Sequence, residues 1–176
     1  MIILKQLLTK RRIVGFEIID DYLSKEDYNR ISEKMLSPDF PWHFNNYGSL
    51  EPGEDSVHNY QFTHSFYQNL GWVSDFSYLV YPFVDKLSPN ALVRIKANLS
   101  PPTETNLIGN WHTDYEFECK TAVYYLNNNN GHTQFRSGER VESVANRIVI
   151  FDSQDLHVGA TATDSKARAI INFNYF

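Results

Sequence analysis

The chain has 176 residues, of which 42% are hydrophobic and 21% are charged. This length and apolar content allow one sizeable core, so residues 1–176 are predicted to form a single domain, and a disordered tail protein is excluded. The formal net charge of −5 disfavours nucleic acid as a partner, because a nucleic-acid surface needs an excess of basic residues. The lone cysteine, Cys119, excludes an intramolecular disulfide and a cysteine zinc cluster, and favours a reducing, cytoplasmic location.

The N-terminal residues, MIILKQLLTKRR, place a short apolar run before the basic residues, which reverses the order found in a secretory signal. No small-residue cleavage site follows them. Elsewhere the apolar runs are far shorter than the ~20 residues that cross a bilayer. We therefore expect no membrane segment.

The first predicted elements are a strand at residues 13–19 (IVGFEII) and a helix that begins after Ser24. Ser24 is a favoured N-cap residue, and Asp27 stands three residues on, where a capping-box partner belongs. The predicted buried stripe of this helix consists of Ile31, Met35 and Leu36. A second helix is expected over residues 76–87, where Pro82 predicts a kink or an early end.

Residues 38–67 have no periodicity and are rich in Pro, Asn, Ser, Gly and aromatic residues, which predicts loops with short strands. A connection of this length is often functional. Its aromatic residues either pack together or line a substrate cleft; they are Trp42, Tyr47, Tyr60 and Tyr67. Four histidines without a partner at ligand spacing are interpreted as ordinary loop or surface residues: His43, His58, His64 and His132.

Beyond Asn90 the sequence changes to short strands separated by turn residues: LVRIKANL, NWHTDYEF, TAVYYLN, TQFRSG, NRIVIFD, HVGATAT and ARAIINFNY. Closely spaced short strands are typical of an antiparallel barrel or jelly roll. With the helices packed outside this sheet, the predicted fold class is α+β and mainly β.

His112 and Asp114 are two residues apart in NWHTDYEF, so a strand would place both side chains on one face. That pair is either a bidentate metal clamp or two polar residues facing solvent. His157 follows the apolar strand at residues 148–151 and the turn after it, so it is a candidate third ligand. Two histidines and one carboxylate on one face of an octahedral ion leave open positions, which suits non-haem Fe(II).

The last predicted strand, residues 168–175, has an apolar face of Ala169, Ile171, Phe173 and Tyr175 and a polar face of Arg168, Asn172 and Asn174. The polar face meets either solvent or the interior of a barrel. In the second case Arg168 is a buried cation that needs an anion, and its planar guanidinium suits a carboxylate.

Residues 92–176 resemble the Fe(II)/2-oxoglutarate-dependent dioxygenases, in particular the prolyl 4-hydroxylase-like branch. The matching segments are WHTD, TAVYYLN, the glycine of NNNNGHTQF, NRIVIFDSQDLH and RAIINFNY. The resemblance implies a double-stranded β-helix, or jelly roll, with supporting N-terminal helices. It implies iron ligation by three residues: His112, Asp114 and His157.

The same resemblance assigns the distal carboxylate of 2-oxoglutarate to Arg168 and places Tyr125 near that carboxylate. Asn98 stands where this branch often has a tyrosine that reaches the co-substrate, and its amide can form a hydrogen bond there. The chain departs from the branch at this position.

The implied activity is hydroxylation of a C–H bond with Fe(II), 2-oxoglutarate and O2, releasing succinate and CO2. A peptidyl, prolyl-type side chain is the expected substrate, and a free small molecule or a nucleobase is the alternative. Two further readings remain open: a cupin-like metalloprotein that does not use 2-oxoglutarate, and a jelly-roll interaction protein in which the His112–Asp114 pair is accidental.

Overall fold

The computed structural model describes residues 10–13, 15–46 and 60–176. Tyr47 and His58 therefore lie outside the described residues. The elements in chain order are β1 (Lys10–Ile13), β2 (Phe16–Ile19), α1 (Lys25–Met35), β3 (His43–Asn45), β4 (Gln61–Gln68), β5 (Gly71–Trp72), α2 (Tyr81–Leu87), β6 (Leu92–Ser100), β7 (Lys120–Tyr125), β8 (His132–Phe135), β9 (Arg140–Glu142), β10 (Arg147–Asp152), β11 (His157–Gly159) and β12 (Arg168–Tyr175).

Two antiparallel sheets form the body of the described chain. The large sheet has the order β1-β2-β10-β7-β12-β6-β4-β3, with β5 also paired to β4, and the small sheet has the order β11-β8-β9. Neighbours along the chain are repeatedly separated in the sheet, as in a jelly roll. The predicted fold class, mainly β with supporting helices, is confirmed.

Helix α1 begins as the sequence predicts. The backbone N–H of Asp27 donates to Ser24 Oγ at 3.1 Å, which satisfies one of the free N–H groups at the helix start. Ile31 and Met35 are fully buried against the large sheet. Leu36 is wrongly placed in the predicted stripe: it follows the last helical residue and is 45% exposed.

Two predicted boundaries are wrong. The segment predicted as one strand at residues 13–19 contains the end of β1 and all of β2, with Gly15 between them at a φ of 103°, which favours glycine. The predicted helix at residues 76–87 is a 3-10 turn at Ser77–Leu79 followed by α2. Pro82 lies in the first turn of α2, where its missing N–H would have no partner, so it starts the helix and does not kink it.

The large sheet separates two apolar clusters. On one face Ile31, Met35 and Phe83 from the helices pack with Ile171 and Phe173 of β12. On the other face a second cluster lies between the large and small sheets, and includes Val123, Tyr125, Phe135, Phe151 and Ile170. The alternation of β12 between the two faces confirms its predicted apolar face. Among the described residues no helix is long and apolar enough to span a membrane.

Candidate active site

A cavity of about 340 Å³ opens beside the second apolar cluster, on the face of the large sheet that looks toward the small sheet. It is lined by five of the six predicted site residues: Asn98, His112, Asp114, His157 and Arg168. The polar face of β12 therefore meets a cavity. Of the two readings that the sequence left open for that face, the interior one is confirmed.

His112, Asp114 and His157 converge at one point of this cavity. One ligand atom from each side chain lies within 4.8 Å of the others, a spacing that a single metal ion can bridge. The segment around His112 is not the predicted strand. It makes only an isolated bridge, in which the His112 and His157 backbones exchange hydrogen bonds of 3.1 and 3.0 Å. This bridge brings together two histidines that are far apart in the sequence.

Backbone carbonyls fix the orientation of both imidazole rings. The Nδ1 of His112 donates to the carbonyl of Asn110 at 2.9 Å, and the Nδ1 of His157 donates to that of Asp155 at 2.8 Å. This hydrogen bond keeps a proton on Nδ1, so the Nε2 of either ring is the atom that can bind a metal. Burial also lowers the pKa of His157, which favours the neutral form that a metal needs.

The carboxylate of Asp114 is held by a network that sequence reasoning did not find. Its Oδ2 accepts hydrogen bonds from Thr121 Oγ1 and Asn174 Nδ2, both at 2.8 Å. Thr121 and Asn174 are cross-strand partners on β7 and β12. Both hydrogen bonds fall on Oδ2, whereas Oδ1 accepts none from the described residues and lies 3.7 Å from Nη2 of Arg94. The one feature of the sequence that pointed to this network was the position of Asn174 on the same strand face as Arg168.

Arg168 is buried at the other side of the cavity. It donates to Ser143 Oγ at 3.1 Å and to the carbonyl of His132 and Thr133 Oγ1 at 3.3 Å each. Burial lowers the pKa of its guanidinium. No carboxylate forms an ion pair with it in the part of the chain that the structure describes. Arg168 is therefore a desolvated cation without a counter-ion, held in place by neutral groups.

Gly131 makes room for this arginine. A Cβ at Gly131 would lie 2.6 Å from Cδ of Arg168 and 2.9 Å from the carbonyl oxygen of Ala160. Any larger residue would therefore displace the arginine or the backbone beside it. Gly131, the glycine of NNNNGHTQF in the family resemblance, therefore has a packing role next to the buried cation.

Tyr125 and Asn98 occupy different positions relative to the cavity. Tyr125 lies behind Arg168: its hydroxyl donates to Thr133 Oγ1 at 2.8 Å, and the guanidinium carbon is 5.7 Å from its ring centroid. Asn98 lines the cavity directly, and its Oδ1 is buried without a hydrogen-bond partner. Tyr125 thus contacts the guanidinium, whereas Asn98 faces the cavity.

Two of the remaining histidines are not the loop or surface residues that we expected. His64 is buried on β4, where its Nδ1 donates to the Pro41 carbonyl at 2.9 Å and its Nε2 accepts from Ser74 Oγ at 2.7 Å. His132 is buried on β8. His43 is exposed, as expected. Neither buried histidine belongs to the converging group at His112.

Among the predicted aromatic residues, Tyr60 lines the cavity. Trp42 packs against the first apolar cluster and donates its indole N–H to the Met35 carbonyl at 2.9 Å. Tyr67 packs against the same cluster. Trp42 and Tyr67 thus pack in the core, whereas Tyr60 faces the cavity.

No protein-family model and no curated protein sequence matches this chain. Solved structures match it over most of its length. A prolyl hydroxylase from Trichoplax adhaerens, in complex with a peptide fragment of the hypoxia inducible factor oxygen degradation domain, is 14% identical, with a TM-score of 0.60; the match covers 92% of this chain and 83% of that one.

Two further structures extend the comparison. An oxidoreductase of the 2OG-Fe(II) oxygenase family from Burkholderia pseudomallei is 10% identical over 92% of this chain and 85% of that one, with a TM-score of 0.64. The epimerase SnoN, in complex with Fe3+, alpha ketoglutarate and nogalamycin RO, is 13% identical over 92% and 78%, with a TM-score of 0.63. The chain has the jelly-roll fold of the 2-oxoglutarate–Fe(II) oxygenases.

Proposed function

We propose that this protein is a non-haem Fe(II)- and 2-oxoglutarate-dependent dioxygenase that hydroxylates a C–H bond. One observation carries the proposal: the His112, Asp114 and His157 ligand atoms converge within 4.8 Å in the same cavity that contains Arg168, a buried cation with no acidic partner among the described residues. A metal site alone would fit many enzymes. The additional buried arginine fits a carboxylate co-substrate, and so favours this activity over a cupin-like metalloprotein.

The donor set fits Fe(II). Two imidazoles and one carboxylate, without a fourth protein ligand in the described part of the chain, form the three-residue face that leaves positions open on an octahedral ion. When bound, iron and 2-oxoglutarate supply the oxidising chemistry, with O2 consumed and succinate and CO2 released. The carbonyls of Asn110 and Asp155 orient the two rings, and Thr121 and Asn174 orient the carboxylate.

Arg168 fits the distal carboxylate of 2-oxoglutarate. Its burial excludes water, so a carboxylate paired with it forms a charge-assisted bond in surroundings of low polarity. Thr133 lines the cavity beside it and can donate its hydroxyl to the same anion. We propose that Tyr125, which donates to Thr133 and lies against the guanidinium, positions both groups, and that Asn98 forms a hydrogen bond with the co-substrate.

We propose a peptidyl, prolyl-type side chain as the substrate. The support is the shared fold with the Trichoplax adhaerens prolyl hydroxylase, which was solved with a peptide fragment. A small molecule is the second candidate, because the epimerase SnoN shares the fold to a similar degree and was solved with nogalamycin RO. The whole chain, residues 1–176, is proposed to act as one domain.

The experiment that tests this function measures succinate. The protein is incubated with Fe(II), ascorbate, 2-oxoglutarate and O2, with and without a pooled library of proline-containing peptides. We expect succinate formation that His112→Ala abolishes, and faster formation with the pool together with a peptide heavier by one oxygen atom. Succinate formation without an oxidised peptide would point to a small-molecule substrate, and equal succinate from wild type and His112→Ala would overturn the activity.

A further inference from the structure

Strand β6 presents a row of polar side chains to the cavity. Arg94, Lys96 and Asn98 line the cavity, and the intervening Ile95 and Ala97 are fully buried in the first apolar cluster. The period of two in a strand therefore points both cations of β6 toward the candidate iron site. Neither residue was a predicted site residue.

Lys96 makes no direct contact with an acidic group in the described part of the chain, although the charge of Asp114 acts on it from a distance. Among the described residues its ammonium makes neither a hydrogen bond nor an ion pair, and burial together with the nearby Arg94 lowers its pKa. A fully solvated surface lysine would not have its pKa lowered by burial. A half-buried, unpaired ammonium that lines a cavity is costly unless an anion binds there.

Arg94 places this positive charge beside the metal ligands. Its Nη2 lies 3.7 Å from Oδ1 of Asp114, its Nε donates to Asn174 Oδ1 at 3.2 Å, and its guanidinium carbon is 5.4 Å from the Tyr115 ring centroid. These contacts fix the guanidinium, while its side chain stays 30% exposed. An anion bound here would lie next to the carboxylate that ligates the iron.

The charge balance of the loaded site leaves both β6 cations uncompensated. Asp114 is the only acidic residue that lines the cavity in the described part of the chain. A divalent iron and Arg168 are neutralised by Asp114 and the dianionic co-substrate. Arg94 and Lys96 then leave two positive charges inside a protein whose formal net charge is −5. The cavity therefore carries excess positive charge, although the net charge of the chain is negative.

Neighbouring amides complete the candidate subsite. Asn172 of β12 is the cross-strand partner of Lys96, and Asn98 is the next cavity residue along β6. Neither Oδ1 atom, although buried, has a hydrogen-bond partner among the described residues. Buried polar groups in a native protein normally have partners, so these amides are free to bind a ligand.

We propose that Arg94 and Lys96 bind an anionic group of the primary substrate, a carboxylate or a phosphate ester, close to the carbon that is hydroxylated. This inference rests on the proposed function and adds a substrate class to it. A peptidyl substrate would carry its acidic group next to the modified residue. Asn172 would bind a polar group adjacent to the anion, while Asn98, farther along β6, contacts the co-substrate.

The test detects anion binding at Lys96 itself. Lysines are reductively methylated with 13C-formaldehyde, which keeps their charge, and the Lys96 signal is assigned by its loss in Lys96→Met. The protein is loaded with Zn(II) in place of iron and with saturating 2-oxoglutarate. Inorganic phosphate and acetate are then titrated separately against chloride at constant ionic strength.

We expect a saturable shift of the Lys96 signal at a concentration at least ~10-fold below that which moves any other lysine, because this ammonium lines a confined cavity together with Arg94. The shift should disappear in Arg94→Gln, persist in Arg94→Lys, and be unchanged in the matched control Lys120→Met, whose lysine is exposed and paired with Asp152. Saturation by phosphate alone would indicate a phosphate ester, and saturation by acetate would indicate a carboxylate.

A Lys96 signal that moves no more than those of exposed lysines would overturn the proposal. The same titration on metal-free protein separates it from the proposed function. Saturable binding at Lys96 in a protein that fails to bind Fe(II) would keep the anion site and overturn the dioxygenase. Normal binding of Fe(II) and 2-oxoglutarate without an anion effect at Lys96 would keep the dioxygenase and overturn the anion site.

Discussion

The two faces of the large sheet differ in what covers them. Helices α1 and α2 close one face with buried apolar side chains such as Ile31 and Phe83. The other face is apolar only in part, where Phe135 and Val141 of the small sheet cover it, and the rest borders the cavity. The helix face of the sheet thus contributes mainly to stability, and the other face carries the candidate site.

Strand β12 shows how a single segment serves both faces. Ala169, Ile171 and Phe173 join the helix side, whereas Arg168 and Asn172 line the cavity. Because alternate residues of a strand point to opposite faces, substitutions at neighbouring positions should affect different properties of the protein. A change on the helix face should lower stability, and a change on the cavity face should lower binding.

The largest expected effect is on the helix face. Phe173→Ala removes a fully buried ring that lies 5.0 Å from the Phe83 ring, and should lower the free energy of unfolding by ~3–5 kcal/mol. The matched control is Asn172→Ala, one residue away on the cavity face, which should change it by less than ~0.5 kcal/mol because its Oδ1 has no partner to lose. Urea denaturation measures both. Similar losses of stability in the two variants would show that the helix face and the cavity face contribute equally to stability.

The next effect is on binding. Arg168→Gln removes the charge that the distal carboxylate of 2-oxoglutarate needs, and should weaken co-substrate binding by ~2–3 kcal/mol, or at least ~30-fold. Anaerobic titration with 2-oxoglutarate in the presence of Fe(II) measures the affinity. Arg136→Gln is the control, since Arg136 is exposed and stacks on Trp111 outside the cavity. Unchanged affinity in Arg168→Gln would contradict its assigned role.

A smaller effect is expected from the residues that hold the metal carboxylate. Asn174→Ala removes one of the two hydrogen bonds to Asp114 Oδ2 and should weaken Fe(II) binding ~10–100-fold. Competition with a coloured chelator measures the affinity. Thr121→Val should give a similar loss. If both variants bind Fe(II) with the affinity of wild type, the two hydrogen bonds stabilise the fold and do not position Asp114 for the metal.

The smallest effect concerns pH and lies away from the cavity. Burial lowers the pKa of His64 below its ordinary value of 6.5, so below pH 6.5 the unfolded chain takes up a proton that the folded state does not. Stability should therefore fall as the pH drops below 6.5, by at most ~1.4 kcal/mol per pH unit for this group.

In His64→Gln the difference in unfolding free energy between pH 7.5 and 5.5 should be smaller than in wild type. Part of the difference should remain, because burial also lowers the pKa of His132 and His157. An equal or larger difference in the variant would show that His64 is not the source of the acid sensitivity.

The sequence was sufficient for six of the seven strands predicted after Asn90 and for the group formed by His112, Asp114 and His157, but it did not predict β9. The reasoning was partly wrong for His112, since its segment is not a strand. The pairing with His157 depends on a backbone bridge between distant segments, and no local pattern reports such a contact. The residue identities could be predicted because metal chemistry restricts the ligand types.

The supporting residues could not be predicted because they are ordinary in type. Asn174 and Thr121 act only through their register across two strands, and Lys96 resembles any surface lysine until the cavity is known. Pro82 was misread because proline gives the same signal at the start of a helix as inside it. These roles depend on which residues pair across strands and which line the cavity, and sequence periodicity does not predict either.

The central claim is that the cavity binds Fe(II) and 2-oxoglutarate together. An anaerobic titration of the metal-free protein with both, followed by the visible absorption band of the Fe(II)–2-oxoglutarate complex, tests it most directly. We expect a band that saturates at stoichiometric amounts in wild type and is lost in His112→Ala, with both proteins folded. A folded wild-type protein that gives no band would show that the cavity does not bind Fe(II) and 2-oxoglutarate together.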